Sequence, residues 1–291
     1  MHAASGSPVA LDEDQWRDAE AVHRGRADVL TAGHRKRAAR GEKHPVEDFL
    51  FTYYSYKPAL LRRWHPGADV VLRGAANSER AGWRWYRPGP GDGTLVVDAA
   101  GFVRERPMLV DAVARLLGAT ASRPAGFGCF GLHEWAMVYR EGVPRHDVPL
   151  RLGRDGTDAV VRANELRCTH FDAFRFFTPA AVPLNRTPLT RADQPRTEQP
   201  GCLHAGMDLY KWAVKLGPLV PGALLLDAFE LARDIRELDM RASPYDLRGW
   251  GYEPIRIETP EGKAEYVRRQ RAFSVRAQPV RAALLAAAAP A

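Results

Sequence analysis

Two amphipathic stretches in the last third of the chain, Leu203–Leu216 and Ala223–Met240, limit the fold more than any other feature. In the second, Leu224, Leu225, Ala228, Leu231, Ala232, Ile235 and Leu238 recur at helical spacing, while Asp227, Glu230, Asp234 and Glu237 lie off that stripe. Helices of this kind gain most of their stability by burying the apolar face, so a helical core is expected. Gly217-Pro-Leu-Val-Pro-Gly222 separates the two, because proline and glycine interrupt helical pairing.

The remaining pattern predicts a helix-rich α+β protein: a helical core with a small antiparallel sheet in a single domain over residues 11–291, after a disordered lead-in at 1–10. Further helices are expected from Asp12 to Arg40, from Pro45 through Tyr54, at Leu60–Trp64 after a break at Pro58, and from Arg106 to Leu117. Two more are expected, from Phe127 or Leu132 to Tyr139 and from Glu261 to Ala288, the latter with Pro279 as a candidate break. Val70–Leu72, Trp83–Tyr86 and Thr94–Val97 are short β-rich runs around Pro88-Gly-Pro-Gly-Asp-Gly93, which predicts the sheet. Leu166–Phe177, rich in Phe and Thr, reads as a further strand, and Ile255–Ile257 as a short one. Thr178 to Gln199 is proline-punctuated and reads as a long irregular connection, of the kind that is usually functional or mobile.

A chain of 291 residues, 45% hydrophobic and 26% charged, has the composition of a soluble globular protein. No apolar run approaches the ~20 residues needed to span a bilayer. The first residues lack a basic region followed by an apolar one, and three cysteines suit no disulfide framework, so a reducing cytoplasm is expected. The net charge of +7 permits nucleic-acid binding without requiring it, because the basic residues are interleaved with acids. Only His34-Arg-Lys-Arg37, with Arg40, makes a dense basic run, and a solvated helix face is the favoured explanation for it.

All three cysteines fall in segments that also carry a histidine and a carboxylate: Cys129-Phe-Gly-Leu-His133-Glu134, Cys168-Thr-His170-Phe-Asp172 and Cys202-Leu-His204-Ala-Gly-Met-Asp208. Titratable side chains that converge in space make acid/base or metal sites, so a site is expected where the three segments meet. In a strand, Cys168, His170, Asp172 and Phe174 would share one face. In a helix, His204 and Asp208 share a face, as do Cys129 and His133. The bland alternative is that each cysteine is a small core residue and each His–carboxylate pair a structural clamp. Familiar signatures fail: His133-Glu134-Trp-Ala-Met137 places Met137 where a zincin has its second histidine, and no deaminase, nucleophile-elbow, Walker or dinucleotide pattern occurs.

The strings Phe127–Arg140, Leu166–Phe177 and Glu198–Trp212, with Glu237-Leu-Asp-Met-Arg-Ala-Ser-Pro-Tyr-Asp246, resemble an actinobacterial family labelled 3-methyladenine DNA glycosylase, over most of the chain from about His44 onward. The resemblance implies excision of an alkylated base from double-stranded DNA, with no cofactor. Such an enzyme needs a pocket for the extruded base, aromatic faces to stack on it and a carboxylate to activate water. Asp172 is the first candidate for that carboxylate, followed by Asp208 and Glu134, with His170 and His204 as further catalytic candidates. Trp135, Tyr139, Phe171, Phe174, Tyr210 and Trp212 are candidates for stacking, and Arg35, Lys36 and Arg37 for phosphate contacts.

A rival reading takes His133, Glu134, His170, Asp172, His204 and Asp208 as ligands of a non-haem metal, iron for oxygen chemistry or zinc for hydrolysis, acting on a small-molecule substrate. A third is a binding module in which the histidines are structural.

Overall fold

The computed structural model describes residues 9–141 and 147–289. The chain opens with strand β1 (Val9–Leu11), the long helix α1 (Glu13–Ala38) and the short helices α2 (Phe49–Tyr53) and α3 (Pro58–Leu61). Strands β2 (Val70–Leu72), β3 (Tyr86–Pro88) and β4 (Leu95–Val97) follow. Helices α4 (Ala99–Glu105), α5 (Pro107–Ala121), the short α6 (Leu132–Ala136) and α7 (Gly153–Arg162) come next. A mostly irregular stretch carries the short α8 (Phe171–Phe174) and α9 (Gln194–Thr197), and α10 (Leu203–Leu216), α11 (Gly222–Arg241) and α12 (Pro260–Ala287) complete the order.

The class is α+β, as the periodicity predicts, with α10, α11 and α12 packed on one another as its centre. α10 stops where Gly217 takes φ +56°, a conformation that costs glycine little. α11 then buries Leu225, Ala228, Leu231, Ala232, Ile235 and Leu238 against its neighbours, and α1 packs on it from the other side. Asp12 caps α1 through a reciprocal pair of 3.0 Å bonds with Gln15, which fixes where that helix starts. One contiguous apolar cluster runs from Trp16 and the sheet through α5 to α10, α11 and α12. Among the described residues no helix is long and apolar enough to cross a membrane.

Five local expectations are corrected. The sheet has the order β1-β2-β4-β3 and is mixed, because β1 lies parallel to β2, with Val9 opposite Val70 and Leu11 opposite Leu72. Val9 and Ala10 therefore belong to a strand and not to a disordered lead-in; residues 1–8 lie outside the described residues. Leu166–Phe177 is no strand. Its backbone is pinned instead by Asn185, whose side chain accepts from Cys168 N at 2.8 Å and donates to Cys168 O at 3.1 Å, and the segment then turns into α8. Ile255–Ile257 is a turn, with Ile255 N donating to Arg241 O, and α12 runs unbroken through Pro279 because its buried side chains hold both halves on the same core.

Candidate metal centre and its cavity

Four helices deliver the polar side chains. α6 carries His133 and Glu134, and α8 carries Asp172. α10 sets His204, Asp208 and Lys211 along one face at helical spacing, and α11 sets Arg236 and Asp239 one turn apart. The three Cys/His/carboxylate segments do converge, and the element that completes the site is α11.

His133 Nε2 lies 2.8 Å from Asp239 Oδ1, and its other ring nitrogen lies 3.4 Å from Cys129 Sγ. His204 stands edge-on to His133 with ring centroids 4.4 Å apart. His133, His204 and Asp239 can each offer one ligand atom such that all three lie within 4.8 Å of one another. Arg236 Nη1 donates to Glu134 Oε1 at 3.0 Å and lies 3.6 Å from Asp239 Oδ2. Among the described residues Asp239 Oδ2 has no hydrogen-bond donor.

A second network adjoins the first. His170 Nε2 sits 3.2 Å from Glu198 Oε1 and 3.4 Å from Asp208 Oδ2, and its ring stacks on His204 with centroids 5.3 Å apart. Lys211 Nζ donates to both Asp208 and Asp172 at 2.8 Å, and Tyr54 donates its hydroxyl proton to Asp208 at 2.9 Å. Arg191 and Arg175 reach Asp172 at 3.2 and 3.3 Å.

The charges follow from burial set against these partners. Burial acts to lower the His133 pKa, but the Asp239 carboxylate outweighs it and holds the ring well above the ordinary histidine value. His170 is likewise lifted against burial by Glu198 and Asp208. Burial pushes His204 down to about 3, with His133 adding to the effect, so His204 is neutral and its lone pair is available. For Asp208, burial is outweighed by Lys211 and His170, which hold the carboxylate below its usual range.

His204, Glu134, Asp172, Asp208 and Arg236 line a cavity of about 50 Å³, room for a few water molecules, whose apolar wall includes Phe49, Tyr53 and Phe176. None of the six aromatics proposed from sequence for stacking is on that wall. Trp135 and Tyr210 are 0% exposed, Tyr139 and Phe174 are buried, and the Trp135 indole N–H donates to Ala242 O at 2.9 Å. A ring buried in the core presents no face to a base, so these four are packing residues; Phe171 and Trp212 are partly buried against the same core. In the basic run, Arg37 is held by Glu47 and Asp48 at 2.7 and 2.8 Å and Arg35 by Asp28 at 3.2 Å, while Lys36 is exposed.

Of the six ligands in the metal reading, His133 and His204 fall in the three-residue cluster, while His170, Asp172 and Asp208 belong to the adjoining network and Glu134 is tied to Arg236. Asp239, Arg236 and Glu198 were not among the sequence candidates. A signal for Asp239 existed: it continues the buried series Leu225, Ala228, Ala232 and Ile235 at the next helical step, where a carboxylate is costly unless paired. Comparison with protein-family models, curated proteins and solved structures finds no match for this chain.

Proposed function

We propose that this chain is a metal-dependent enzyme acting on a small molecule, with His133, His204 and Asp239 as the ligands of a divalent ion. The observation that carries the reading is the approach of two imidazoles and one carboxylate, on three different helices, to within 4.8 Å. The donors fit once the ion displaces the proton that Asp239 holds on His133: His204 is neutral, Asp239 is ionised, and Asp239 Oδ2 is a buried acceptor without a hydrogen-bond donor among the described residues. Two histidines and one carboxylate suit iron or zinc with coordination positions left for substrate. The ion would supply Lewis acidity to a molecule bound beside it. Cys129 Sγ, 3.4 Å from Nδ1, fixes the His133 ring, Arg236 orients Asp239, and Phe49, Tyr53 and Phe176 restrict water in the cavity.

The test is elemental analysis and calorimetric titration of the chelated and reloaded protein. One iron or zinc per chain is expected, with binding lost in His204→Ala; absence of stoichiometric binding by either ion overturns the reading.

Base excision is the second reading, favoured by the aromatic wall that faces Asp172 and Asp208. It predicts release of 3-methyladenine from alkylated duplex DNA in the presence of EDTA, collapsing in Asp172→Asn. That result would replace the metal reading with the glycosylase one.

A further inference from the structure

Arg236 is 2% exposed, which makes it one of the largest fully buried side chains of the protein. Its Nη1 is engaged by Glu134 and Asp239, and its guanidinium lies 4.0 Å over the Phe49 ring, so the plane of the group is fixed. The opposite edge is different. Nε and Nη2 are both closed off from open space and have no hydrogen-bond partner among the described residues, so an acceptor reaches them only when the neighbouring wall shifts. A buried N–H left without an acceptor costs roughly 1–3 kcal/mol, more on a charged group, and such a pair on one rigid fork calls for a planar bidentate acceptor. Arg236 also forms part of the wall of two cavities, the 50 Å³ one beside His204 and a second of about 240 Å³ bounded by Val46, Leu50 and Tyr252.

We infer that the Nε–Nη2 edge of Arg236 is the recognition element for a short carboxylic acid, whose carboxylate pairs with the guanidinium while its body lies against Phe49, Tyr53 and Phe176. This rests on the metal reading for its place in a reaction: Glu134, Asp239, Arg236 and a divalent ion together leave one positive charge uncompensated, which a monoanion neutralises. Asp172 and Asp208, the other acids of the wall, are more than offset by Lys211, Arg175, Arg191 and His170, so they do not cancel that charge. A planar carboxylate fits the fork edge-on, and the small cavity favours a short acid over a bulky one.

The experiment follows the Arg236 Nε–H resonance of the ¹⁵N-labelled wild-type chain while acetate, pyruvate, acetamide or inorganic phosphate is added, with zinc and again with EDTA. Acetate and pyruvate are expected to shift the resonance saturably and acetamide to leave it in place. By calorimetry, Arg236→Gln is expected to bind pyruvate at least about tenfold more weakly. The resonance is read on the unmodified protein, so the test stands even where Arg236→Gln does not fold. An unmoved resonance, equal shifts by acetamide, or tighter binding of phosphate than of either acid overturns the inference. Shifts by the acids in a chain that takes up no zinc or iron uphold the carboxylate site and remove the metal reading alone.

Discussion

Asp239 is fully buried and touches both His133 and Arg236, so two charged or chargeable groups depend on one carboxylate. Deleting it leaves an imidazolium and a guanidinium in the core with half their compensation gone. Removing one member of a buried ion pair typically costs roughly 3–5 kcal/mol, and Asp239→Ala in the metal-free protein is expected to lose that much in urea unfolding. A change below about 1 kcal/mol, the range of exposed pairs, would mean that the cluster contributes little to the fold. The same carboxylate shows how far residue-level reading reaches. His133 and His204 stand out in sequence because each sits beside a cysteine and an acid. Asp239 stands among the many acids of α11, and only its helical phase marks it as inward.

At the scale of elements, the site depends on how closely the loop before α6 approaches the start of α10. The Gln199 side chain joins them: Gly126 N and Gly201 N each donate to its Oε1 at 2.7 Å, and its Nε2 donates to Gly126 O at 3.2 Å. A Cβ at Gly201 would stand 2.4 Å from Gly126 O and 3.0 Å from Gly126 N, both of them backbone atoms that cannot rotate away. Gly201→Ala is therefore expected to separate the loop carrying Cys129 from α10, costing roughly 1–3 kcal/mol in urea unfolding and weakening ion binding. An unchanged midpoint with unchanged ion affinity would contradict this account. The long elements were legible from periodicity: α10 has the predicted bounds, and α11 differs by a residue at each end. Short elements were not. α4 and α7 are only seven and ten residues long, and among the described residues the strand expected over Leu166–Phe177 pairs only at its first residue, where Arg186 N donates to Leu166 O, before the Asn185 side chain takes the Cys168 backbone bonds.

For the whole molecule, the buried histidines divide into two groups with opposite pH consequences. Burial lowers His23 and pushes His65 and His204 down to about 3. Between the ordinary value of about 6.5 and pH 3 the unfolded chain holds protons on them that the folded chain lacks, so stability falls as pH drops. Despite burial, His133 and His170 are raised by Asp239 and by Glu198 with Asp208. Above about 6.5 the folded chain keeps protons that the unfolded chain has released, so stability falls as pH rises toward their folded values. The metal-free protein is thus expected to be most stable near pH ~6.5, each unmatched proton contributing about 1.4 kcal/mol per pH unit on either side. Urea midpoints measured from pH 5 to 8 check this; a monotonic trend would show that one histidine group dominates.

Sequence by itself determined the helix-rich α+β class, the core helices and the three segments that supply histidines and acids, because each is written in local spacing along one stretch of chain. Which of those side chains meet was decided only by tertiary structure. The approach of His133, His204 and Asp239 depends on the packing of α6, α10 and α11, and no local pattern encodes the distance between residues 106 positions apart, as His133 and Asp239 are. The same packing turned Trp135 and Tyr210 into core and left one edge of Arg236 without a partner among the described residues, since burial is a property of what surrounds a side chain and not of its own chemistry.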